Sequence, residues 1–113
     1  MANRIAEEVT NRLSTFITPS FIYTEQTELP YCVYEVAQDA PLYAKDGIYG
    51  YRADVTVYLA ADTEERATQL KDKAVEALNT RREGYVINIT SVQPAYGEDQ
   101  WLQKIDCTVT QLL

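Results

Sequence analysis

A chain of 113 residues, 46% apolar and 24% charged, is long enough to bury one core without disulfides or metal, and its composition excludes disorder. A single domain over 1–113 is therefore expected. Seventeen acidic against ten basic residues give a formal charge of -7, spread along the chain, which opposes a protein that grips nucleic acid through its phosphates.

In chain order, Ile5, Val9, Leu13 and Phe16 recur at helical spacing, which predicts an amphipathic helix from Ala2 to Ile17. Its outer face is expected to carry mainly Arg4, Glu7, Glu8, Asn11 and Arg12. Pro19 stops it, and a short apolar piece at 21–23, a candidate extra strand, precedes a polar connector at 24–28. "LPYCVYEVAQ" reads as a strand entered through Pro30, with Cys32, Tyr34 and Val36 alternating against Tyr31, Val33 and Glu35. "DAPLYAKDG" then reads as a turn-rich segment, a long hairpin or arm, in which Pro41 and Asp46-Gly47 break the ladder.

The next strand is the clearest, with Tyr49, Tyr51, Ala53, Val55, Val57 and Leu59 on one face and Arg52, Asp54, Thr56 and Tyr58 on the other. It runs into a second helix whose N-cap is expected at Asp62, with Glu65 completing a capping box. Ala67, Leu70, Ala74, Ala77 and Leu78 form its inner stripe, and Arg81, Arg82 and Gly84 read as its stop signal. Two strands close the chain, Tyr85 to Val92 and "WLQKIDCTVTQLL", joined by the loop "QPAYGEDQ" into a hairpin. In the second of these Trp101, Ile105, Cys107, Val109 and Leu113 oppose Lys104, Asp106, Thr108 and Thr110. The order α-β-β-α-β-β predicts an α+β fold: a mainly antiparallel sheet of four to five strands with both helices packed on one face.

The residues offer little chemistry. There is no histidine, and Ser14, Ser20 and Ser91 lack a nucleophile elbow. Cys32 and Cys107 are too far apart for a CxxC motif and sit in apolar runs, as inert core thiols do. Asp54 and Asp106 lie on outward strand faces, where they either meet across the sheet or, as strand-face acids more often do, form a solvated surface or cross-strand pairs with Arg52 and Lys104. "DGIYG" lacks the spacing and following helix of a phosphate loop. The reading is of a protein that is not an enzyme and uses no cofactor or metal. With no signal-like N-terminus and no apolar run near ~18 residues, it is expected not to span or cross a membrane and to be made and used in the cytosol, or assembled there.

Nine tyrosines are more telling, because tyrosine covers apolar surface while its hydroxyl stays wet and is enriched where proteins meet. Tyr43 and Tyr96 fall in turn-rich segments, as do Leu42 and Ile48. Either these loops fold back and bury their aromatics, or they anchor an assembly. On the second reading the subunit or partner interface comprises Leu42, Tyr43, Ile48, Tyr49, Tyr96 and Trp101.

Across "LPYCVYEV", "GYRADVTVYLAADTEERATQLKDKAVEALN" and "WLQKIDCTVTQLL" the chain resembles the small tail-terminator, or tail-completion, proteins of long-tailed bacteriophages. Pro30, Tyr31, Val33 and Tyr34 match that family's first motif, and Val55, Val57, Ala67 and Leu78 its second, while Cys32 stands where the family often has an apolar residue. The resemblance implies a homo-oligomeric, hexameric ring on the head-proximal end of the tail tube. Such a ring stops tube polymerisation and meets a neck or head-completion protein. Its implied place is the virion tail, assembled in the bacterial cytoplasm, with the tail tube protein as partner and DNA passing through without specific binding. Arg52, Asp54, Lys104 and Asp106 then line the lumen or the outer sheet face. The alternatives are another head-tail joining protein or a stand-alone α+β module that binds a ligand or partner on its open sheet face.

Overall fold

The computed structural model describes residues 3–17, 19–21, 29–97 and 100–113. Ile5, Val9 and Leu13 are fully buried along one stripe of helix α1 (Ile5–Leu13). The helix is shorter than the periodicity predicts. The backbone tightens after Leu13, whose carbonyl accepts from the amides of Phe16 and Ile17, at 3.2 and 3.1 Å, and both side chains are half-buried against the core. Glu8 and Arg12 correct the expectation for the outer face, being only 2% and 8% exposed. The proposed start at Ala2 lies outside the described residues.

Five strands follow: β1 (Pro19–Phe21), β2 (Tyr31–Ala44), β3 (Gly47–Ala61), then, after helix α2 (Glu64–Asn79), β4 (Tyr85–Gly97) and β5 (Gln100–Leu112). They form one sheet in the order β1-β2-β3-β5-β4, in which β1 runs parallel to β2 and every other pair is antiparallel. The candidate strand near Phe21 is thus present as β1, while positions 22–28 lie outside the described residues. The α+β fold and its element order are as the sequence predicts.

The segment at 39–47 is the long hairpin that one reading of it expects, and the expected loop at 93–97 is strand. β2 absorbs "DAPLYA" by a bulge between Ala37 and Ala40, with Gln38 at φ 54°, and Pro41 stays in register opposite Tyr51. Pro41 is tolerated because β1 flanks β2 only at Cys32–Tyr34, so among the described residues it lies on an edge, where the missing N–H breaks no ladder. The ladder runs on to Ala44 opposite Gly47, whose φ of 118° suits glycine at the turn. Likewise Gln93 to Gly97 belong to β4, with Pro94 on the outer strand opposite Gln103, and 98–99 lie outside the described residues.

Alternation sorts the two faces. Cys32, Tyr34, Val55, Val57, Leu59, Ile105, Cys107 and Val109 meet Ile5, Val9, Leu13, Ala74 and Leu78 in one core, so both helices cover the same face. Burying a side chain such as Leu59 or Ile105 stabilises the fold by roughly 1.5–3 kcal/mol. Two glutamines the alternation does not single out, Gln103 and Gln111, are also buried on this face. Gln111 Oε1 accepts from the Arg4 amide at 2.7 Å and Asn3 Oδ1 from the Ile5 amide at 3.0 Å, which together satisfy two donors at the start of α1. Leu113 does not join the core stripe: β5 ends at Leu112, and Leu113 is exposed, its amide donating to the Tyr49 carbonyl at 3.0 Å.

The second helix is capped one residue later than expected. Thr63, with extended backbone, accepts from the Arg66 amide at 3.2 Å, while Asp62 forms an exposed ion pair with Arg66 at 3.5 Å. At the other end the helix closes at Thr80 in extended backbone, so Gly84 is not its stop signal. Gly84 leads into β4 instead, its carbonyl accepting from Leu112 at 2.7 Å.

Candidate functional site

The residues expected at an interface occupy two separate places. Leu42, Tyr43, Ile48 and Tyr49 lie at the tip of the β2–β3 hairpin, beyond Gly50, where β3 first meets β5 opposite Leu112. Tyr96 and Trp101 are partners at the tip of the β4–β5 hairpin, next to the Ala61 end of β3. The strand from Gly50 to Ala61 separates the two by about 36 Å, within a molecule 52 Å long.

Neither tip folds back to bury its aromatics. Tyr43 is 72% exposed and Tyr96 59%, with Ile48 and Tyr49 also exposed and Leu42 and Trp101 half-buried. Tyr43 and Ile48 pair across the hairpin, and a register shift there places Tyr49 outside the inner row to which alternation assigns it. At the far tip the Tyr96 and Trp101 rings pack with centroids 4.6 Å apart and planes tilted by 51°. These are apolar groups presented to water on paired strands, the arrangement that partner contacts use.

The arm is rooted by a close backbone approach. A Cβ on Gly50 would lie 2.5 Å from the Gln111 carbonyl oxygen, so only glycine lets β3 run this near to β5.

On the face opposite the helices, each carboxylate finds a threonine across the strand pair. Thr56 Oγ1 donates to Asp106 Oδ1 at 2.9 Å, and Thr108 Oγ1 donates to Asp54 Oδ1 at 3.4 Å. Lys104 Nζ lies 4.0 Å from Asp106 Oδ2 along the same strand, and Arg52 is an exposed neighbour opposite Thr110. The expected cross-strand pairing of these acids with Arg52 and Lys104 is therefore replaced by threonine–carboxylate pairs, because the antiparallel register sets Asp54 opposite Thr108 and Asp106 opposite Thr56. Tyr58 donates to Glu35 Oε1 at 3.2 Å. Partial burial, that hydrogen bond and the charges of Glu35 and Asp106 hold its hydroxyl above the usual tyrosine range. Among the described residues no group of three or more His, Cys, Asp or Glu gathers as a metal would need.

A third feature escapes a reading based on helical stripes. Between α1 and the end of α2 lies an open cleft of about 260 Å³, lined in part by Glu8, Arg12, Thr80, Arg81 and Arg82. Arg12 Nε donates to Glu8 Oε2 at 3.0 Å, and Arg82 Nη1 donates to Glu8 Oε1 at 2.7 Å. The four-residue spacing of Glu8 and Arg12 is the one local signal of this network.

No protein-family model matches the chain, and no curated protein matches it. Among the solved structures that are similar to it, one superposes with a TM-score of 0.57 over 95% of this chain and 89% of its own, at 14% identity. That likeness is one of fold.

Proposed function

We propose that the chain is a structural protein of a phage or prophage tail, which closes into a hexameric ring at the head-proximal end of the tail tube, ends tube polymerisation and joins the tube to the neck. The observation that supports this reading is the pair of exposed apolar tips, different in composition and set at opposite ends of the sheet. Contacts between unlike patches are heterologous, and when their rotation closes they generate a ring. On this reading Leu42, Tyr43, Ile48 and Tyr49 of one copy meet a neighbour or the tube, and Tyr96 and Trp101 serve the complementary contact. The resemblance across Pro30–Tyr34 and Val55–Leu78 supplies the biological setting. The work is then shape complementarity in the virion tail, with no catalysis and no cofactor. The acidic and hydroxyl-bearing sheet face, with Asp54 and Asp106, suits a surface that DNA passes without being held.

Native mass spectrometry of the chain over a wide concentration range at near-physiological salt tests the reading. A discrete closed species, six-fold above all, is the expected result. Monomers and dimers alone at every concentration would turn attention to the module reading, which the cleft beside Arg81 and Arg82 favours as a site for an anionic partner.

A further inference from the structure

The two long borders of the sheet are built differently. Beyond β1, the outer edge of β2 carries a bulge at Gln38 and Asp39, then Pro41, with Glu35 and Asp39 as charges along it. These are devices by which a strand edge discourages pairing. The outer edge of β4 has no strand beside it among the described residues, although at its start the Tyr85 amide already donates to the Arg82 carbonyl at 3.2 Å, and its 13 residues include no charge at all. Its first part, "YVINITSV" from Tyr85 to Val92, is rich in β-branched residues and free of proline and glycine, the composition of a segment that pairs with its own kind. A single bulge falls at Thr90, whose hydroxyl donates to the Asp106 carbonyl at 3.1 Å and so keeps the strand attached to β5. Val86 and Val92 are exposed on either side of it.

We infer that β4 is a self-pairing seam, in which Tyr85–Val92 lies antiparallel to the same segment of a second copy about a two-fold axis. The occupant follows from charge and edge chemistry. In a chain of net charge -7, this neutral strand is a border that two copies can bring together without opposing like charges. Both borders carry a bulge and a proline, β4 at Thr90 and Pro94, and it is the charges of Glu35 and Asp39 that make the β2 border the poorer strand for β4 to recruit. The seam is isologous and runs along the side of the sheet, whereas the tip contacts lie at its ends, so the seam does not depend on ring closure.

The test uses the full chain, with native mass spectrometry for stoichiometry and hydrogen exchange at high and low concentration for the seam. Even-numbered species are expected, with amides in 85–92 exchanging more slowly at high concentration. Asn88 is exposed and faces Thr108 within its own sheet, so charging it leaves the melting temperature near that of the parent. Asn88→Lys and Asn88→Glu each raise the dissociation constant of the paired species roughly tenfold, and mixing the two variants restores pairing. Concentration-independent exchange at 85–92, association of both single variants as tight as the parent's, or a chain monomeric throughout overturns the seam. A closed ring whose 85–92 amides exchange freely overturns the seam and leaves the ring reading standing. Loss of the ring on Tyr43→Asp with 85–92 still protected supports the seam alone.

Discussion

Arg12 belongs to one helix and finishes another. Its Nη1 donates to the carbonyls of Ala77, Leu78 and Thr80 at 3.3, 2.9 and 2.6 Å, the groups that a helix leaves unsatisfied and negative at its C-terminus. α2 has no basic residue of its own in the last turn, so the cation comes from α1. Removing it exposes those carbonyls and leaves the buried Glu8 held only by Arg82. Arg12→Met is expected to destabilise the fold by about 3 kcal/mol in urea unfolding, and Arg82→Ala, at the exposed end of the network, by less than about 1 kcal/mol. Equal losses would show that the capping of α2 is not what Arg12 contributes. The two thiols make a second residue-scale prediction. Burial pushes Cys32 from 9.0 to about 12, and burial with the nearby Asp106 and Asp54 carboxylates does the same to Cys107. An acid whose pKa is raised on folding stabilises the fold fully below its unfolded value and loses that stabilisation as pH rises through the folded one. Stability should therefore fall between pH 9 and 12 in a cysteine-dependent way. A Cys32→Ala, Cys107→Ala double variant with the same alkaline slope as the parent would contradict this, and thiol reagents at pH 8 should label the folded chain no faster than it unfolds.

Among the elements, α2 offers a discrimination between neighbouring residues. Thr63→Ala is expected to cost about 1 kcal/mol, because it removes the acceptor for the Arg66 amide. Asp62→Ala should change stability by only a few tenths of a kcal/mol, since its pair with Arg66 is exposed. Thermal unfolding of the two variants decides which residue caps the helix. The arm depends on its root in the same way: Gly50→Ala drives a methyl group against the Gln111 carbonyl, and the backbone must part to admit it. A loss of about 2 kcal/mol is expected, with faster hydrogen exchange of the β3–β5 amides around Arg52 and Thr110. Unchanged exchange there would mean that the sheet yields elsewhere.

At the scale of the molecule, function is proposed to reside in the two ends of a rigid sheet. Tyr43→Asp with Ile48→Asp places charges on groups that touch water, so the melting temperature should move by no more than a degree or two. Self-association should fall by at least about tenfold. Full retention of assembly would remove the arm from the interface. Tyr96 is the matching test at the other end, because Trp101 is half-buried and its loss would also weaken the fold.

Much of this architecture is local information. Alternation along Ala53–Leu59 and Ile105–Val109 determined which side chains face the core, and the four-residue spacing of Ile5, Val9 and Leu13 determined the buried stripe of α1. Exposure of Tyr43 and Tyr96 was one of two readings compatible with their neighbours, since a one-dimensional pattern does not say whether a loop returns to the sheet. Tertiary structure decided that Pro41 and Pro94 continue strands, because a proline is harmless where no neighbour needs its N–H. It also turned Glu8 and Arg12 inward, because the carbonyls that Arg12 satisfies belong to residues 65 to 68 positions further along the chain. The separation of the two tips followed from the β3–β5 register. Pairing between distant strands depends on contacts that no local period encodes, and that is why the face of each residue was legible and its end of the molecule was not.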